Sequence, residues 1–186
     1  MYYIDICIMH NKNYSIKHYK TYFYDRDYYD INDAVIKGRL DIVQSLCNEG
    51  YNINERSLTD LSTPLMNSIF FGHDLITIYL IKNGADLNIR DKDGYNVLMI
   101  SILANNESIA TILIYYGVDI NMQTNHGITA LMFASSNGLI NIVSMLIKAG
   151  ADINLKNSAG ETALVNAIQE GNHDIAKLLK NHGAIE

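Results

Sequence analysis

The sequence predicts an all-α fold, a solenoid of five helix–turn–helix units that are joined by hairpin-like loops. The first observation is a period of 33 residues, with one interval of 34, between leucines that each stand four residues before a glycine. The second is an isoleucine four residues before each of these leucines, which gives every unit an apolar helical stripe. Because a unit this small cannot bury its apolar face alone, contacts between neighbours must stabilise the array. The repeated leucines are Leu46, Leu80, Leu113, Leu146 and Leu179.

The elements of one unit are clearest in the fourth copy. Thr129 is placed to cap a short helix over residues 130–137, and Gly138 ends that helix because glycine tolerates a left-handed backbone. A second helix over residues 140–148 carries its apolar side chains on one stripe and stops before Gly150. A polar stretch follows and predicts a turn into the next unit. Each unit therefore reads as helix, helix and hairpin-like loop.

These units resemble ankyrin repeats. The four-residue sequences that begin at Thr63, Thr129 and Thr162 match the family's Thr-Pro-Leu-His, with Met or Val at the histidine position. The segments 84–88, 117–121 and 150–154 match its Gly-Ala-Asp-Val-Asn, with Val118 at the alanine position of the middle one. The resemblance implies an ankyrin-repeat solenoid that follows a capping extension over residues 1–26. Its predicted repeats are about 27–57, 58–90, 91–123, 124–156 and 157–186.

Two units depart from the family pattern. The third has Asn96 in place of the threonine and Asn105 in place of the glycine that ends the first helix, although asparagine tolerates a left-handed backbone better than most residues. The first lacks Thr-Pro-Leu and is followed by one extra residue before the second unit. We expect these two units to be the weaker ones.

Composition and motifs exclude several classes of function. Residues 27–186 hold ten Lys/Arg and eighteen Asp/Glu, a net charge of 10 − 18 = −8. An array this acidic repels a phosphate backbone, so we expect no nucleic-acid partner. No apolar stretch approaches the ~20 residues that span a bilayer, so we expect no membrane partner. No phosphate-binding loop, dinucleotide fingerprint or nucleophile elbow occurs, so the sequence predicts no enzyme, cofactor or metal site.

The resemblance implies a non-catalytic protein–protein interaction module, whose partner docks on the loop tips and on the inner face of the first helices. Several residues of this face are apolar where a solvated repeat would carry polar groups, which is typical of a docking surface. The competing explanation is that Phe70 or Phe71 fills a groove of a neighbouring unit. We expect a partner protein, a monomeric chain and a cytoplasmic location, in the producing cell or in a host cell. The predicted partner-binding residues are Phe70, Phe71, Arg90, Lys92, Asp93, Tyr95, Leu103, Gln123, Asn125, His126, Ile128 and Lys156.

Other interpretations remain open at this point. Residues 1–26 contain six tyrosines, and they serve either as a cap or as an arm that recruits a second factor, which would make the chain an adaptor. The chain could also be a regulatory subunit of an enzyme. Asn88, Asn121 and Asn154 each follow a leucine by eight residues and an acid by two, which resembles the substrates of an asparagine hydroxylase. The competing explanation is that these asparagines belong to the fold.

Overall fold

The computed structural model describes residues 30–185, and all regular elements in that part are helices. The prediction of an all-α solenoid is confirmed. The helix pairs fall one within each predicted repeat, while the repeat limits themselves remain a prediction, and the extension over residues 1–26 lies outside the described residues. In chain order the pairs are α1 Ile31–Ile36 with α2 Leu40–Asn48, α3 Pro64–Phe70 with α4 Asp74–Lys82, α5 Val97–Leu103 with α6 Glu107–Tyr115, α7 Ala130–Ser136 with α8 Ile140–Lys148, and α9 Ala163–Gln169 with α10 His173–Asn181.

Each inner helix, the first of its pair, begins at a residue whose side chain caps it. The Thr129 hydroxyl accepts a hydrogen bond from the backbone N–H of Met132 at 3.2 Å. In the third unit, Asn96 does the same for the N–H of Met99 at 3.1 Å. Its amide nitrogen also donates to the carbonyl oxygen of Asp119, 3.2 Å away. Because such a cap stabilises a helix by about 1 kcal/mol, the departure at Asn96 is no source of the weakness expected of this unit.

The turn between the two helices of a unit needs a left-handed residue. Gly138 has φ +73°, as predicted, and Asn105 takes over the same role in the third unit with φ +53°. The loop before each later inner helix also needs a left-handed residue, two positions before the cap, and Gly94, Gly127 and Gly160 occupy it in the last three units. In the second unit this position is held by Leu61 with φ +60°, which costs a residue with a Cβ about 1–2 kcal/mol. The loop between the first and second units is therefore a strained place in the array.

The core is one continuous layer between the inner and the outer helices. Inner helices pack side by side in chain order, and outer helices pack behind them. The repeated leucines are fully buried from the second unit onward, and Leu46 is nearly so. Since each helix has only six to nine residues and is marginal alone, burial against neighbouring units is what stabilises it.

Candidate partner-binding face

The last residue of every inner helix occupies the same position on the inner face of the array. In the first three units this residue is apolar and exposed, with 41% of the Ile36, 71% of the Phe70 and 51% of the Leu103 surface open to solvent. In the last two units it is polar, Ser136 and Gln169. The fold therefore does not require an apolar residue here. Exposed apolar groups in a row are typical of an interaction site.

A second exposed ring widens this row. Phe71 follows Phe70 and contacts it edge to face, with ring centroids 5.2 Å apart. The Phe71 ring also lies parallel to His73 at 6.4 Å. The large exposed apolar residues on the inner face of units one to three are called the apolar strip below. The strip consists of Ile36, Phe70, Phe71 and Leu103.

The hairpin-like loops, called fingers here, span residues 56–62, 90–95, 123–128 and 156–161. Side chains join one finger to the next. Arg90 donates to the side-chain oxygen of Asn125 at 2.9 Å and to the Gly94 carbonyl oxygen at 3.3 Å. Asn125 in turn donates its side-chain amide to the carbonyl oxygen of Lys92 at 2.8 Å, and its backbone N–H to that of Asp93 at 3.0 Å. Arg90 and Asn125 therefore hold the second and third fingers together.

The next pair of fingers is joined by a glutamine. The Gln123 amide donates to the carbonyl oxygens of Gly127 at 2.7 Å and Lys156 at 3.0 Å. Of the predicted finger residues, Arg90, Gln123 and Asn125 thus have structural bonds within the array. Among these predicted finger residues, Arg90, Lys92, Asp93, Asn125, His126 and Lys156 have exposed side chains, while Gln123 is half-buried.

Two predicted residues are less exposed than the sequence suggested. Tyr95 is half-buried, because its ring stacks on Phe133 of the next inner helix with centroids 5.6 Å apart. Ile128 is also half-buried and packs against the core. Both side chains therefore contribute to contacts between units, and their part in partner binding remains a prediction.

A ladder of asparagines links every unit to the next along the opposite end of the loops. Each asparagine accepts, through its side-chain oxygen, a hydrogen bond from a backbone N–H about one repeat further on, at 2.8–3.0 Å. This supports the structural explanation for these asparagines, and their hydroxylation remains a prediction. The pairs are Asn54 with Asp86, Asn88 with Asp119, Asn121 with Asp152, and Asn154 with Ile185.

Three carboxylates lie near one another in the first unit, those of Asp30, Asp33 and Glu55. Burial raises the pKa of the Asp33 and Glu55 carboxyls, and the nearby charge of Asp30 raises both pKa values further. At the other end of the array, hydrogen bonds from Asn157 and Gln169 lower the pKa of Glu161, which therefore keeps its charge. Carboxylates therefore lie at both ends of the described stack.

Comparisons with known proteins agree with this geometry. A family described as "Ankyrin repeats (3 copies)" matches residues 31–124 and 116–185. This chain belongs to the ankyrin-repeat family. A relative is rat "Ankyrin repeat and SAM domain-containing protein 6", which is 34% identical over 62 residues, 33% of this chain. The match spans 7% of that protein's length, so the likeness concerns repeats alone.

Ankyrin repeats are in general protein–protein interaction modules, and the family is typically non-catalytic. Within residues 30–185, no three His, Cys, Asp or Glu side chains meet in a way that could hold a metal ion. In the same residues no helix is long and apolar enough to cross a membrane. The family therefore favours a protein-binding surface as the candidate functional site.

The outer face of this ankyrin array carries a second apolar patch that sequence reasoning missed. Leu75 of α4, Tyr115 of α6 and Tyr116 are exposed there, and Tyr116 lines a groove of about 250 Å³ between α4 and α6. A comparison of equivalent positions would have found it, since Leu75 is replaced by Asp41 in the first unit and by Asp174 in the last. The groove is lined by Ile78, Ile81, Lys82, Ile112 and Tyr116.

Proposed function

We infer that this ankyrin array binds a partner protein on its inner face, with the apolar strip as the centre of the interface. The observation that carries this inference is the contrast within the column of inner-helix ends. Exposed apolar residues stand at Ile36, Phe70 and Leu103, while the same position is polar at Ser136 and Gln169. The same backbone thus supports both kinds of residue, and packing does not account for the apolar ones.

The fingers supply the rim of this interface. Lys92 and Asp93 are exposed on the second finger, and His126 is exposed on the third. Interfaces commonly have an apolar centre and a polar rim, and a few buried aromatic anchors give most of the binding energy. Phe70 is the strongest candidate anchor because its ring is large and mostly exposed. Arg90, Gln123 and Asn125 contribute by keeping the fingers in a fixed arrangement.

The experiment is proximity labelling in cells that naturally make this protein, with quantitative comparison of three forms. The first is the unaltered chain, and the second carries Phe70→Ser with Leu103→Ser. The matched control carries Leu75→Ser with Tyr115→Ser, which removes two exposed apolar side chains from the outer face instead. We expect the inner-face variant to lose a set of neighbours that the control keeps. Circular dichroism and thermal denaturation of both variants check that the fold is retained.

The opposite result would overturn the proposal. If the inner-face variant keeps all neighbours while the outer-face control loses them, the partner docks on the patch beside α4 and α6. If neither variant loses neighbours, neither apolar surface is the centre of an interface.

A further inference from the structure

We propose that the segment bound by the apolar strip is a basic amphipathic α-helix, which lies across α1, α3 and α5 at right angles to them. This inference rests on the proposed function, because it describes what the inner face binds. The spacing and the width of the strip favour a helix, and the charge of the surrounding units favours a basic one.

The spacing of the strip matches the period of a helix surface. Ile36, Phe70 and Leu103 end three inner helices that pack side by side. Neighbouring packed helices lie about 8–10 Å apart, so these residues span roughly 16–20 Å. In an α-helix, residues i, i+7 and i+14 lie on one face and are separated by about 10.5 Å each. Same-face residues of a β-strand recur about every 6.6 Å, which does not match.

The width of the strip also suits a helix. Phe71 and Ala104 are exposed beside Phe70 and Leu103, so the second and third units present two apolar residues each. The apolar stripe of an amphipathic helix is at least about 100° wide and presents residues at i, i+3, i+4 and i+7. Pairs at i and i+3 or i+4 could thus contact both members of each exposed pair. The two edge-to-face rings at Phe70 and Phe71 make the widest part of this surface.

The net charge of the array around the strip predicts the charge of the segment that binds there. Residues 30–123, the described part of units one to three, hold six Lys/Arg and twelve Asp/Glu, a net charge of 6 − 12 = −6. Residues 124–185 hold four of each, a net charge of 4 − 4 = 0. The apolar strip therefore lies in the acidic half of the array. Asp33 stands one turn before Ile36 on α1, and Asp60 and Asp93 lie on the first and second fingers.

Basic groups are also present in this half of the array. Lys37 is exposed next to Ile36 and Lys92 is exposed on the second finger, while Arg56 and Arg90 donate to carbonyl oxygens within the fingers. The attraction for a basic helix therefore comes from the field of the whole acidic half, which speeds association at low salt. The polar ends at Ser136 and Gln169 set where the apolar contacts stop.

A display library of 21-residue peptides tests this proposal directly. It contains four sublibraries: basic amphipathic helices, acidic amphipathic helices with the same apolar pattern, peptides with apolar residues at alternate positions, and proline-rich peptides. Selection uses the full chain, with counter-selection against the Phe70→Ser, Leu103→Ser variant. We expect enrichment of the basic helical sublibrary. Selected peptides should bind the counter-selected variant at least about tenfold more weakly and the Leu75→Ser, Tyr115→Ser variant normally.

Enrichment of any other sublibrary, or of none, overturns the proposal. The native partner separates this failure from failure of the proposed function. If that partner is lost with Phe70→Ser and Leu103→Ser but its binding segment, mapped by tiled peptides, is acidic or not helical, only the helix proposal is wrong. If that partner is retained by the variant, both proposals are wrong.

Discussion

Truncation of one central leucine tests the physical basis of the whole array. Leu113 lies in the third unit and has no surface exposed to solvent. Leu113→Ala removes three carbon groups, worth about 0.8 kcal/mol each in transfer free energy, or about 2.4 kcal/mol together. A cavity term is added because a fully enclosed site relaxes only in part, which places the loss of unfolding free energy at roughly 2–5 kcal/mol.

The matched control is the same substitution where burial is absent. Leu58 stands on the first finger with 92% of its surface exposed, so Leu58→Ala should change the unfolding free energy by no more than about 0.5 kcal/mol. Urea denaturation followed by far-ultraviolet circular dichroism measures both, and the slope against urea checks that each unfolds as one unit. The reasoning is refuted if Leu113→Ala costs no more than Leu58→Ala, because the units would then not depend on their shared core.

Three further predictions concern contacts between units and the acidic first unit. Tyr95→Ala should lower the unfolding free energy by roughly 1–3 kcal/mol, since it loses a half-buried stacked ring, and Phe70→Ala by less than about 1 kcal/mol; thermal denaturation that ranks them in reverse would contradict this. Gly94→Ala and Gly160→Ala both place a side chain at positive φ, but only a Cβ at Gly94 would meet the next finger, at 2.7 Å from a backbone nitrogen. Gly94→Ala should therefore cost more in urea denaturation, and equal losses would argue against close finger contact. Glu55→Gln should raise the thermal midpoint near pH ~7 and leave it unchanged near pH ~3.5. The reason is that the pKa of Glu55 is raised in the folded state, so the folded protein loses stability as the pH rises through that folded-state pKa. A shift of the midpoint at the lower pH would point to another cause.

Much of the fold could be predicted because its signals are local and repeated. Thr129 and Gly138 bound the first helix of the fourth unit in the sequence and in the structure alike. Asn105 was predicted to adopt a left-handed backbone, and it does. Each of these roles depends on neighbours within a few residues, so spacing alone was sufficient. The shared period then placed the five helix pairs in order.

The candidate site was harder to predict because its side chains interact across units. Tyr95 stacks on a ring 38 residues later, and Arg90 bonds to a side chain 35 residues later. Neither contact follows from the pattern of one unit, so both residues looked available to a partner. Phe70 and Leu103 were expected only as apolar residues of this face, and the structure shows both exposed at a helix end that is polar in the last two units. A comparison of units by position was therefore a better guide than residue type alone.

The asparagine ladder also determines how the array can change in length. Acceptor and donor come from equivalent positions of adjacent units, so excision of residues 91–123 would set Asn88 opposite Asp152, with the same chemistry as before. The fingers would not survive the excision in the same way, because Arg90 would lose the partner that Asn125 now provides on the following finger. Every unit thus makes the same contact along the asparagine ladder, whereas each pair of neighbouring fingers makes a contact of its own. An ancestor that gained or lost a repeat would have kept the asparagine hydrogen bonds between its units and altered the contacts between its fingers in a single step.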